Sequence, residues 1–147
     1  MVPCGKERIV ENSMAELSGE MKEAFTKMKT FSIATASREG IPNVVPIAFV
    51  QVKNADTIWI ADNFMKKTLA NLKENPNISF FLWGPEIHGC TQVKGTVSLV
   101  TSDTEFEEMK KWVHAKTPTL PAKTLLIVKV TEIYSCTPGP GAGEKMG

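Results

Sequence analysis

Lys66, Lys67 and Thr68 stand together just ahead of Leu69 and Leu72, which lie three apart, and Pro76 ends the segment. This pattern predicts a short helix beginning near Lys66. The first turn of a helix offers unpaired backbone N–H groups and a partial positive charge. Two ammonium groups and a hydroxyl at that end make a seat for a phosphomonoester. The plainer alternative is a lysine-rich helix start that faces water. Other chemistry-bearing patterns are sparse. His88 and His114 are the only histidines, they fall in different elements, and no third ligand is spaced to join them, so no metal site is expected. The chain has no Gly-x-Gly-x-x-Gly and no Gly-x-Ser-x-Gly, which argues against a Rossmann dinucleotide site and a nucleophile elbow. His88 sits in the loop 84–89, where a proton donor is conceivable and a plain loop histidine is the simpler expectation.

The elements that must position the lysines are mostly strands. Residues 31–37 predict a strand, the turn material 38–43 follows, and 44–52 form a long β-rich run. A second turn at 53–56 leads into the apolar run 57–61, making three strands in meander before the lysine helix. Three more strands are predicted at 78–83, 91–100 and 125–134. Two further helices frame them. Ser13 to Glu16 fits a capping box ahead of an apolar stripe of Met14, Leu17, Met21, Phe25 and Met28, suited to closing one end of a barrel. Ser102 to Glu105 repeats the pattern, with Phe106, Met109, Trp112 and Val113 as the buried face.

Composition sets the bounds. A chain of 147 residues with 42% apolar residues can bury one sizeable core, so a single domain over 1–147 is expected, with 136–147 as a flexible Pro/Gly-rich tail. A net charge of +1 gives no long-range pull toward nucleic acid or an anionic membrane. No apolar stretch approaches the roughly 20 residues that span a bilayer, and no signal-peptide pattern opens the chain, which points to the cytoplasm. Cys4, Cys90 and Cys136 are three in number and widely separated, so reduced thiols are expected and no disulfide framework.

The ordered set Ala34-Thr35, Gly40-Ile41-Pro42, Val45-Pro46-Ile47, Lys67-Thr68 with Asn71 and Glu74-Asn75-Pro76, then Gln92-Val93 with Gly95, resembles the FMN-binding split-barrel family, whose best-known members are the pyridoxamine 5′-phosphate oxidases. The resemblance covers roughly 14–134. It implies a mainly β (α+β) fold, a six-stranded antiparallel Greek-key split barrel with flanking helices. It also implies FMN as cofactor, with Lys67 and Thr68 on its phosphate and Lys66 beside them. Val45, Pro46, Ile47 and Ala48 would run along the ring edge, Ala61, Asp62 and Asn63 would flank the ribityl chain, and Gln92 would reach the flavin from a neighbouring strand. The family's vitamin-handling members carry an arginine and a lysine on the second strand and an Arg-Pro near the C-terminus; here those places hold 44–49 (Val-Val-Pro-Ile-Ala-Phe) and a Pro/Gly tail. The vitamin substrate is therefore not expected.

These readings combine into an FMN-binding oxidoreductase, homodimeric with the flavin at the subunit interface, that passes electrons to a small organic or protein acceptor. In such a protein the flavin does the electron chemistry, so no side chain is assigned as general acid or base. A deazaflavin (F420)-dependent reductase on the same barrel is one alternative. A flavin-binding electron carrier or sensor without turnover is another. An oligonucleotide-binding barrel that stacks bases on Phe80, Phe81 and Trp83 is disfavoured by the near-neutral charge.

Overall fold

The computed structural model describes residues 15–146. Seven strands form one curled antiparallel sheet: β1 (Phe31–Ala36), β2 (Pro42–Ile47), β3 (Val50–Asn54), β4 (Thr57–Asp62), β5 (Asn77–Leu82), β6 (Thr91–Val100) and β7 (Thr124–Ser135), in the order β2-β1-β5-β6-β7-β4-β3. The split-barrel architecture is the expected one, with seven strands where six are predicted. The extra strand comes from the run 44–52, which breaks at Ala48-Phe49. β2 and β3 are not hydrogen-bonded neighbours; they are the two edges of the sheet, and Ala48-Phe49 crosses the open seam between them. The three-strand meander expected before the lysine helix is therefore two hairpins, β1-β2 and β3-β4, at opposite ends of the sheet.

β4 and β7 explain why their sequences read as continuous apolar runs. Ile58 and Ile60 of β4 and Leu126 and Val128 of β7 enter the barrel core, together with Phe25, Phe31 and Phe80. Trp59, Ala61 and Leu125 face the other way and pack beneath Met109 and Val113 of α3 (Thr104–Lys116). Strands covered on both faces lose the usual alternation. At the bulge in β6, between Lys94 and Gly95, a Cβ on Gly95 would collide with the Lys129 carbonyl oxygen and approach Val128 at 2.8 Å, so the close approach of β7 demands glycine there.

The first helix starts later than its sequence predicts. α1 spans Gly19–Lys27 and is capped by Ser18, whose Oγ accepts from the Met21 N–H at 3.2 Å. Of the expected capping box, Ser13 and Met14 lie outside the described residues, while Ala15 and Glu16 precede the helix. The Leu17 N–H donates to the Ala55 carbonyl at 2.7 Å, which holds this stretch extended against the β3-β4 turn. In α3 the cap is Asp103, whose carboxylate accepts from the Phe106 N–H at 3.1 Å.

Two expectations about the C-terminal region are corrected. Thr91 of β6 faces Ser135 of β7, and this register sets Cys90 beside Cys136; the two form a disulfide with Cα atoms 5.0 Å apart, where free thiols are expected. Cys4 lies outside the described residues. The segment expected as a loose tail is folded back along β7. The Gly143 N–H donates to the Ser135 carbonyl at 2.6 Å, and the Met146 N–H donates to the Ile133 carbonyl at 2.6 Å.

Candidate functional site

One cleft gathers most of the residues singled out in the sequence. It encloses about 560 Å³ where the open seam meets the start of α2 (Lys67–Glu74), a volume suited to a cofactor-sized ligand. Val45, Pro46 and Ile47 of β2, continued by Ala48, supply one wall; Ala61 at the end of β4 and Asn63 in the following turn supply another. Because β2 is an edge strand, alternate backbone groups on its free side have no strand partner. The strand can therefore offer hydrogen bonds to a flat heterocycle laid along it.

Lys66, Lys67 and Thr68 close the end of the cleft. Lys66 occupies the cap position of α2 without a side-chain capping bond, and the first helical bond runs from the Ala70 N–H to the Lys66 carbonyl at 3.0 Å. The N–H groups of Lys67, Thr68 and Leu69 accordingly have no partner inside the helix. Neither Lys66 nor Lys67 pairs with a carboxylate among the described residues. Free N–H groups, the positive end of the helix and two unpaired ammonium groups form a donor set that fits a terminal phosphate.

Thr68 plays a more internal part than its sequence position implies. It is 2% exposed, and its hydroxyl oxygen accepts from Asn43 Nδ2 at 3.1 Å. The same amide donates to Thr35 Oγ1 at 3.2 Å, and Asn71 Nδ2 donates to that oxygen at 3.1 Å. This neutral network fastens α2 to β1 and β2, so the two walls of the cleft keep a fixed spacing.

Asp62 acts behind the cleft and Asn63 in its wall. Asp62 is fully buried; its Oδ2 meets Lys123 Nζ at 2.6 Å and its Oδ1 accepts from the Met65 N–H at 2.8 Å. Asn63 lines the cleft while its Oδ1 accepts from the Ala122 N–H at 2.8 Å, leaving its amide donors for a ligand. Gln92 is not brought here within one chain. It lies in β6, between Phe81 of β5 and Tyr134 of β7.

Phe49, Phe64, Met65 and Leu120 also line the cleft and were not singled out from the sequence. Phe64 is 73% exposed, an unusual position for an aromatic in the turn between a strand and a helix, and its place next to Asp62-Asn63 was the only available signal. Among the described residues no group of three or more His, Cys, Asp or Glu is placed to hold a metal ion, and no helix is long and apolar enough to cross a membrane.

Comparison with known proteins bears on the same region. The sequence profile described as pyridoxamine 5′-phosphate oxidase matches residues 17–137. An uncharacterised protein of Methanocaldococcus jannaschii is 34% identical over 139 residues, covering 90% of this chain and 89% of the relative. Among solved structures, HupZ of Group A Streptococcus superposes with a TM-score of 0.74 at 24% identity, covering 86% of this chain and 99% of that one. An FMN-binding protein of Syntrophomonas wolfei gives a TM-score of 0.66 at 22% identity, covering 81% and 85%. An F420 reductase gives a TM-score of 0.57 at 17% identity, covering 90% and 98%. At these identities the three structures establish the shared fold.

Proposed function

The chain belongs to the pyridoxamine 5′-phosphate oxidase family, and on that premise we propose that it is a flavoprotein that binds FMN in the cleft between β2 and α2 and passes electrons to a small organic or protein acceptor. The observation that carries this reading is the meeting of an uncapped, lysine-flanked helix start with a free strand edge in one cleft of about 560 Å³. Lys67, Lys66 and the N–H groups of the first turn would hold the phosphate. The free edge of β2 from Val45 to Ala48 would orient the ring, and Ala61 with Asn63 would flank the chain between. Asp62 would act by fixing the turn that leads into α2. When bound, the flavin supplies electron transfer in one- or two-electron steps; the protein fixes its orientation and limits water at its phosphate end.

Exposed apolar side chains favour a homodimer that completes the site. Ile41, Val44, Phe64 and Trp83 are all more than 60% exposed, and Phe64 lines the cleft itself, so a second subunit laid over the cleft would cover apolar surface there. In such a dimer Gln92 would act from the second subunit, which reconciles its position in β6 with a role at the flavin. Sedimentation velocity over a dilution series, with and without FMN, tests this: a monomer whose FMN affinity does not change with protein concentration would rule it out.

The flavin reading is tested by Lys67→Ala. A charge-assisted hydrogen bond is worth roughly 1.5–3 kcal/mol, so FMN affinity should fall about ten- to a hundredfold while riboflavin affinity stays put. Lys29→Ala, outside this cleft, should change neither. Equal weakening for both ligands would place Lys67 away from the phosphate, and a protein that quenches no FMN fluorescence would end the proposal. The second reading, a deazaflavin cofactor, draws on the F420 reductase that shares the fold and on the same phosphate-seat lysines. Chromatography of the pigment that copurifies with the protein separates the two.

A further inference from the structure

Across the Ala48-Phe49 connection lies a second cavity, of about 590 Å³, and these two residues are a wall common to both cavities. Its floor is aromatic. Phe25 comes from α1, Phe49 from the connection and Trp112 from α3, the last two edge to face with ring centroids 5.6 Å apart. Its rim is basic: Lys22 lies in α1, Lys29 just beyond it, and Lys116 ends α3, four residues after Trp112 and so on the same helix face.

No carboxylate lines this groove, and none of the three lysines pairs with one among the described residues. The contrast with their neighbours is informative, since Lys27 in α1 pairs with Glu23 and Lys53 in β3 pairs with Glu108. A molecule with a net charge of +1 thus concentrates three uncompensated ammonium groups around one cavity. Like charges brought together in a concave, partly apolar site repel one another and focus a positive potential that an entering polyanion relieves. Lysines act as point charges toward phosphate, and the aromatic floor offers a surface on which a ring can stack.

We propose that this groove is a docking subsite for the phosphate groups of a nucleotide-type redox substrate, whose reactive ring reaches the flavin cleft past Phe49. The binding of phosphate by the groove stands on its own geometry; the reach to a flavin rests on the function proposed above. Phe49 then serves as the partition between the subsite that anchors and the cleft that reacts.

Adenosine 5′-diphosphate is the probe, because it is colourless and redox-inert. It should be titrated into FMN-saturated protein by calorimetry, in parallel with adenosine and over a series of salt concentrations. The expected result is saturable binding that weakens with salt and is at least about tenfold weaker for adenosine, since each ammonium–phosphate contact is worth roughly 1.5–3 kcal/mol. The triple variant Lys22→Ala/Lys29→Ala/Lys116→Ala should lose the diphosphate by about a thousandfold or more on the same scale while keeping its FMN affinity and its melting temperature. Lys67→Ala should lose FMN and keep the diphosphate when both are measured on flavin-free protein. No binding at millimolar probe, unchanged binding by the triple variant, or displacement of the probe by FMN would each overturn the subsite. Diphosphate binding that tracks the three lysines in a protein that binds no flavin would uphold the groove and sink the flavin reading instead.

Discussion

β4 is bracketed by two ion pairs of equal length and unequal surroundings. Before its first residue Asp56 meets Lys129 at 2.6 Å, and at its last residue Asp62 meets Lys123 at 2.6 Å, both lysines coming from β7 or the residue ahead of it. Asp56 keeps 20% of its side chain in water and Lys129 keeps 49%, whereas Asp62 keeps none and Lys123 keeps 40%. Distance alone would rank the pairs as equals. What separates them is desolvation and the number of groups that depend on the carboxylate. Asp62 also accepts from the Met65 N–H, and Lys123 Nζ also donates to the Met65 carbonyl at 3.1 Å, so this pair sets the turn that delivers Lys66 and Lys67 to the cleft. The more exposed pair ties the β3-β4 turn to β7, and its carboxylate also accepts from the Thr57 hydroxyl, but no group of the cleft depends on it.

The sharpest way to break the comparison is Lys123→Met, which strands the carboxylate of Asp62 in the interior. Removing one partner of a buried pair costs about 3–5 kcal/mol, and the exposed end of Lys123 places this case toward the lower figure. Urea denaturation should show a loss of about 3 kcal/mol. FMN affinity should fall with it, since the start of α2 loses its support. A loss no larger than that of an Asp56 variant would show that the two ends of β4 are equivalent after all.

Asp62→Asn tests the same pair from the other side and should cost less. The amide oxygen can still accept from the Met65 N–H, and Lys123, already partly in water, can turn outward. About 1.5–2 kcal/mol is expected, the lower end of the scale for one hydrogen bond to a charged group. If Asp62→Asn proves costlier than Lys123→Met, the carboxylate is valued for a contact in the cleft and not for the pair.

The contrast also marks where sequence reasoning stopped. The helix start at Lys66 is legible from local apolar spacing, the start of α3 falls within one residue of the expected capping box at Ser102, with Asp103 as the cap instead, and β4 and β7 are legible as apolar runs rich in β-branched residues. The seam at Ala48-Phe49 was not. The run 44–52 favours strand throughout, and Pro46, the one breaker within it, is allowed because β2 is an edge. Cys90 and Cys136 meet through the register of β6 on β7, a long-range fact that no spacing along the chain announces. Asp62 was placed beside the ribityl chain from its position next to Ala61, and the residue that buries it, Lys123, lies 61 positions away. Thr68 follows the same course: its motif is visible in the sequence, and Asn43 becomes its partner only once β2 and α2 are laid together, with Asn71 joining the network through Thr35.

The smallest effect belongs to the Asp56 pair, and it carries a pH signature. The hydrogen bond from Lys129 outweighs the opposing push of burial and, with a further hydrogen bond from Thr57, holds the Asp56 carboxyl below the 3.8 of an ordinary aspartate. A carboxyl whose folded value is depressed stabilises the fold fully above its unfolded value, and that contribution fades as the pH drops through the lower folded one. With Lys129 half exposed and the pair open to water on that side, the contribution at neutral pH should be about 1 kcal/mol or less and should shrink further in high salt. Asp56→Asn should therefore differ from the parent by a small, constant amount between about pH 5 and pH 8, and the difference should close below the 3.8 of the free carboxyl. Parallel urea titrations of the two proteins across that range measure it. A gap that widens in acid would mean that Asp56 is held protonated in the fold, which would remove the contrast with Asp62 on which the ranking of the two pairs depends.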